Sequence, residues 1–170
     1  MALTTDMLAT YRRPAEVMRR HLSGPQQEGR ALVFLMLACL LIFVAQWPRL
    51  AREAALSPDM PRDAIFGAAL LGWVFIMPLV FYGLAALSHV VARLLGGQGT
   101  WYGARLALFW PLLALSPVWL LYGLVAGFIG AGPALSLVGV LAVGLFVFHW
   151  AVALRTAERP PSVTPAEADS

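Results

Sequence analysis

Two histidines and two arginines carry what reactive chemistry the chain offers. His89 and Arg93 are four residues apart and so share one helical face. His149 lies in the last apolar stretch, and Arg105 opens the stretch before it. Counted inward from the arginine-rich ends of those stretches, all four fall in one leaflet of a bilayer. Ionisable groups at that depth are uncommon, which makes each a functional candidate. Three readings compete. In one, Arg93 and Arg105 snorkel to the interface while His89 and His149 hydrogen-bond to Ser88, Tyr102 or a backbone carbonyl. In another, the four line a basic pocket for an anionic lipid headgroup. In the third, His89 and His149 are axial ligands of a b-type haem.

Other chemistry is missing from the pattern. There is no H-E-x-x-H, no Gly-x-Ser-x-Gly and no phosphate-cradling glycine loop before a lysine. No carboxylate falls inside a predicted span, so an ion-coupled carrier lacks its usual Asp or Glu. No twinned histidines or cysteines suggest zinc. The single cysteine, Cys39, sits in an apolar run and reads as a small buried residue. The expectation is a non-enzyme with no catalytic residue, metal or cofactor, and no nucleic-acid partner.

The elements that position these residues are membrane helices. Of 170 residues, 60% are hydrophobic and 12% charged, with mean hydropathy +0.75. Soluble chains carry about 25% charged residues. Between two long apolar stretches lies the break Arg93-Leu94-Leu95-Gly96-Gly97-Gln98-Gly99-Thr100-Trp101-Tyr102-Gly103-Ala104-Arg105. Its glycines release the backbone from helical geometry, Thr100 can cap the next helix, and Trp101 and Tyr102 suit the headgroup layer. It reads as the turn of a helical hairpin.

From that turn the rest follows. Four spans are expected at about 31–47, 64–95, 102–130 and 133–156. Trp47 marks an interface, and 48–63 reads as a polar loop. The second span, longer than the bilayer needs, should tilt, kink at Pro78 or project beyond the membrane, and Pro111 and Pro117 should bend the third. The third is read as one kinked span, with a hairpin broken at Ser116-Pro117 as the competing reading. Residues 1–30 form an amphipathic cytoplasmic arm, split near Pro14 into two short helices. Arg12, Arg13, Arg19 and Arg20 lie mostly off its apolar face. They read either as contacts for anionic lipid or a partner, or as a solvated flank that fixes topology. The polar start argues against a secretory signal peptide. The tail 158–170 reads as disordered.

All twelve basic residues are arginine. Nine lie on the arm, the turn flanks and the tail, against three in the other loops. That bias predicts both termini on the cytoplasmic side. Small residues also recur four apart: Gly123 with Gly127, Ala126 with Gly130, and Ala68 with Gly72. Such pairs let helix backbones approach closely in lipid. They serve internal packing, or a face for a partner or a second copy.

The run from Gly96 to Pro117 joins a glycine-rich turn, an aromatic, a small-residue helix start and Trp110-Pro111 inside the next span. It resembles the Yip domain family, the Ypt/Rab-interacting membrane proteins and their bacterial relatives, over roughly residues 31–157. That family usually has five spans, where this chain reads as four with a polar tail in place of the last. The resemblance implies a non-catalytic polytopic protein of the bacterial inner membrane; eukaryotic relatives act in vesicle traffic beside small GTPases. Residues and resemblance together predict an all-α, four-span membrane protein with an amphipathic N-terminal helix. Its expected role is a scaffold or accessory subunit that contacts lipid and a membrane-protein partner or its own copy. A small-molecule or ion permease is the alternative, and a haem-bearing redox subunit the third.

Overall fold

A computed structural model describes residues 3–56 and 60–159. The described chain is all helical. α1 (Leu3–Arg12) and α2 (Pro14–Leu22) form the N-terminal arm, and α3 (Glu28–Leu56) follows. α4 (Arg62–Leu94) contains a π-helical turn at Gly72–Ile76. α5 (Trp101–Ala114), α6 (Ser116–Phe128) and α7 (Pro133–Ala157) complete the fold. α3, α4 and α7 are each long and apolar enough to cross a membrane, and α5 with α6 is the fourth candidate, bent by 50°.

α5 is the centre. Every residue from Leu106 to Ala114 is buried, as expected for a helix that is apolar all round. It packs against α3, α4, α7 and α1. α6 continues along α3 in the same sense. Glu28 meets Arg105, the Phe34 ring meets Trp110 at a tilt, Gly123 lies against Ala45, and Gly127 against Pro48. That monotonic order makes α5 and α6 one bent span, since a hairpin would reverse it. The bend sits at Leu115, where Pro117 brings no N–H to continue the ladder. The Val118 amide bonds to the Leu115 carbonyl, and Tyr11 Oη donates to the Ala114 carbonyl at 3.2 Å. The N-terminal arm thus supplies a hydrogen bond at the bend, as bent membrane helices require. α7 returns antiparallel, with Trp119 beside Phe146 and Gly103 beside Ala157.

Two expectations need correction, on the first helix and on the arm, and α4 adds an irregularity that was not expected. The first helix does not end at Trp47. It runs unbroken through Pro48 to Leu56, so 48–56 is helix and not polar loop. Gly127 packs onto Pro48, and Arg52 Nη1 donates to the Gly127 carbonyl at 3.2 Å, which anchors the extension to α6. In α4 the irregularity precedes Pro78: the Met77 amide bonds to the Gly72 carbonyl, five residues back, and the helix goes on. The arm is two helices meeting before Pro14, as the sequence predicts, but it does not lie on lipid by its apolar face. Val17 and Met18 are buried in the core cluster with α5 and α7, while Arg12, Arg13, Arg19 and Arg20 remain exposed.

Candidate functional site

The turn between α4 and α5 is built to hold a carboxylate. α4 ends in a left-handed Gly96 (φ +89°), with the Gly97 amide bonded to the Ala92 carbonyl and the Gly96 amide to that of Arg93. Thr100 caps α5, its Oγ1 accepting from the Gly103 amide at 3.0 Å. Between these two caps sits Glu158, the residue that ends α7. Its Oε2 accepts from the Gly99 amide at 2.9 Å, and its Oε1 accepts from His89 Nδ1 at 2.7 Å. Its own carbonyl accepts from the Gln98 amide at 3.0 Å. A Cβ on Gly99 would lie 2.8 Å from that carboxylate, and one on Gly97 2.7 Å from Oε2. Both glycines are needed for the close approach.

The pair is shut away from water: the side chains of His89 and Glu158 are 1% and 7% exposed. Trp101 lies over the imidazole, ring centroids 4.4 Å apart. Because a carboxylate only accepts, Nδ1 carries the proton and Glu158 fixes the ring's orientation. His89 Nε2 is buried with no hydrogen-bond partner among the described residues. The arrangement ties the end of α7 to the glycine turn through one charged and one backbone hydrogen bond.

The four residues singled out in the sequence are not brought together. Arg105 faces α3, its Nη1 2.9 Å from Glu28 Oε2, and its Nε donates to the Trp101 carbonyl. Arg93 is exposed at the end of α4. His149 lies farther along α7, where its Nδ1 donates to the Leu145 carbonyl at 2.8 Å and its ring meets Tyr11 edge-on. α5 packs against both α4, which carries His89, and α7, which carries His149. The two rings have separate surroundings, so the geometry gives a bis-histidine haem site no support. A backbone carbonyl does serve His149, as one reading expects. Ser88 bonds instead to Ala85, and Tyr102 Oη is buried without a partner among the described residues.

Glu158 is the residue the sequence reading missed, having placed it in the disordered tail. Residues 160–170 of that tail lie outside the described residues. The available signal was indirect: a histidine in an apolar stretch needs a partner, and Glu158 follows the last predicted span by two residues, on the same predicted side of the membrane as His89.

A second polar cluster holds the arm. His21 Nδ1 accepts from Arg30, leaving its proton on Nε2, which has no partner among the described residues; the ring lies tilted against Trp110 and edge-on to Phe34. Burial first, and then the Arg30 guanidinium, push the His21 pKa down to about 4 against the pull of Asp6. Trp110 Nε1 donates to Thr10 Oγ1 at 3.0 Å, and Thr10 donates to the Asp6 carbonyl at 2.7 Å. Arg20 reaches Asp6 at 3.1 Å and Glu16 at 3.5 Å, and Arg13 reaches Glu16 at 3.4 Å. The apolar side of the arm is spent on protein, and its arginines form the rim.

The small-residue pairs divide. A Cβ on Gly123 would strike the Ala45 carbonyl and one on Gly127 would strike Pro48, so this pair is consumed by α3. Gly130 takes a left-handed φ of +85° against Arg52, and Ala126 is buried. On α4, Ala68 is exposed and a Cβ on Gly72 would meet nothing within 4 Å. No group of three or more His, Cys, Asp or Glu suited to a metal occurs among the described residues. No family model, curated protein or solved structure matches the chain.

Proposed function

We propose that this multi-pass membrane protein is a non-enzymatic scaffold or accessory subunit of a larger assembly, a four-span relative of the Yip-domain proteins. Its arginine-rich end faces the cytoplasm in the bacterial inner membrane, where Arg12, Arg13, Arg19 and Arg93 meet anionic headgroups. The observation that carries the docking part is on α4. Glycine in a membrane helix with nothing packed on it gives up side-chain contacts and gains none in return. Gly123 and Gly127 already have α3, whereas Gly72 has open space, and Ala68, Leu71, Phe75 and Ile76 around it are exposed. A transmembrane helix of another protein, laid along that face, is the occupant that uses the gap.

The reactive-looking groups support the same reading. His89 is bound to Glu158, Arg105 to Glu28 and His21 to Arg30. Each serves to hold helices together.

The test is a Gly72→Leu substitution in the full chain, purified from native membranes in mild detergent. The added side chain has room in this chain, so the melting temperature should stay within about 2 °C of the unsubstituted protein. A larger complex that co-migrates with the unsubstituted protein should be lost. A monodisperse monomer from both proteins would overturn the scaffold reading, and a homodimer lost on substitution would make the occupant a second copy.

A further inference from the structure

α3 runs on past Trp47, the aromatic at its membrane boundary, and carries Arg52 at the end of the bundle opposite the glycine turn. Arg52 lies about 7.5 Å farther along the helix axis than Trp47, which is headgroup depth. There its Nη1 donates to the carbonyls of Gly127 and Phe128 at 3.2 and 3.5 Å, closing the C-terminal end of α6. Gly130, buried and in the left-handed region, lies against the guanidinium: a Cβ there would fall 2.7 Å from Cζ and from Nη2. One nitrogen and one glycine thus hold the cation in place.

The rest of the guanidinium has no partner among the described residues: Arg52 makes no ion pair, and Nε and Nη2 make no hydrogen bond. Glu53, next in the chain, is taken by Arg49 at 3.8 Å. The Nε–Nη2 edge is the fork that grips a phosphate or carboxylate through two parallel bonds. Arg52 is exposed. On its membrane side an apolar groove of about 360 Å³ runs between α3, α4 and α6, lined by Trp47, Pro48, Ala51, Phe66, Gly127 and Phe128. The two carbonyls that hold Arg52 belong to walls of this groove, so the cation and the apolar space are contiguous. Trp47 and Phe66 meet edge-on with ring centroids 6.1 Å apart, and Trp47 and Phe128 are exposed.

We propose that this site holds a phospholipid of the leaflet opposite the glycine turn. The Nε–Nη2 edge of Arg52 takes the phosphodiester, and one acyl chain lies in the aromatic groove. The groove alone would accept any hydrocarbon; the fork at its end, fixed and without a counter-charge among the described residues, is what selects a phosphate. The inference is independent of the docking face on α4.

The test uses the full chain in detergent with a trace of phosphatidylglycerol that carries a photoreactive diazirine on one acyl chain, and maps the adducts by mass spectrometry of peptides. The expected result is a saturable adduct on residues 47–51 and 127–128. Unlabelled phosphatidylglycerol should displace it, and neither a diacylglycerol with the same chains nor inorganic phosphate should do so. Arg52→Gln should weaken the affinity at this site about ten-fold, the worth of a charged hydrogen bond, and leave adducts at the arginine-rich end unchanged. Ala51→Trp leaves the α6 carbonyls alone, fills the groove and should remove the adduct. Equal displacement by the diacylglycerol would make the groove a general hydrocarbon surface, and displacement by inorganic phosphate would make Arg52 a free-anion site; either overturns the proposal. Unchanged affinity in Arg52→Gln would overturn it as well. The competition arms need no substitution, so they decide the matter even if Arg52→Gln unseats α6.

Discussion

Replacing Glu158 by alanine strands two buried donors at once. His89 Nδ1 loses its acceptor at 2.7 Å and the Gly99 amide loses its acceptor at 2.9 Å. A buried donor left unpaired costs about 1–3 kcal/mol, and breaking a buried charged pair by removing one partner costs about 3–5 kcal/mol. The expected loss is therefore about 4 kcal/mol. For a chain of this size that is roughly a 10 °C fall in melting temperature. Glu158→Gln keeps the volume and one acceptor but turns an NH2 toward the other donor, so it should lose about half as much. Removing His89 in the Glu158→Ala background relieves one stranded donor, so the double variant should be more stable than the sum of the single losses by about 1 kcal/mol or more. The chain carries its own reporter, because Cys39 is the single cysteine and is fully buried. A thiol-reactive fluorophore that reacts only on unfolding reads the melt in detergent. Arg159→Ala, at the exposed neighbour, is the control and should change little. If Glu158→Ala melts within about 2 °C of the unsubstituted chain, the carboxylate does not hold α7 to the glycine turn.

Other substitutions follow the same logic. Gly123→Leu should block the seating of α6 on α3 and expose Cys39 at room temperature, while Gly72→Leu should not. Met18→Ala should cost about 2–5 kcal/mol in the same melt, because Met18 is wholly buried, whereas Arg19→Ala should change it by less than about 0.5 kcal/mol. His21 makes stability depend on pH. In the folded chain its ring stays neutral down to about pH 4, and in the unfolded chain it takes up a proton near 6.5. Between those values the unfolded state holds more protons, so stability falls as pH drops from about 6.5 to about 4 and is steady above. Allowing for screening by nearby water, the loss is about 1–2 kcal/mol, and a His21→Phe variant should flatten that part of the melting-versus-pH curve.

The parts of the fold that rest on local rules were legible in the sequence. Gly96 and Thr100 define the turn because only glycine takes the left-handed position cheaply and a hydroxyl caps a helix start, and both act so here. Pro14 separates α1 from α2 for an equally local reason. What was not legible depends on contacts far apart in the chain. Trp47-Pro48 carries the local signature of a helix end, yet α6 packs along α3 there and the helix runs on to Leu56. Glu158 lies 69 residues from His89 and borders a proline-rich tail, so composition hid it. The amphipathic arm looks like a lipid-surface helix because an apolar stripe is the same whether lipid or protein covers it. Here Trp110 and the buried face of α5 cover it, through Thr10, Val17, Met18 and His21. Internal packing of the Gly123–Gly127 pair was one of the readings open in the sequence, and only the structure shows that α3 fills it while Gly72 on α4 stays open.

The central claim is that α5 and α6 cross together as one bent span and bring the end of α7 back to the glycine turn. Single cysteines at Gln98, Arg159, Met60 and Gly132, placed in a Cys39→Ser background and labelled in sealed vesicles with a membrane-impermeant thiol reagent, test it most directly. The fold predicts that Gln98→Cys and Arg159→Cys label from one side and Met60→Cys and Gly132→Cys from the other. Labelling of Gly132→Cys from the same side as Gln98→Cys would mean that the chain turns back at Leu115, and would contradict the account.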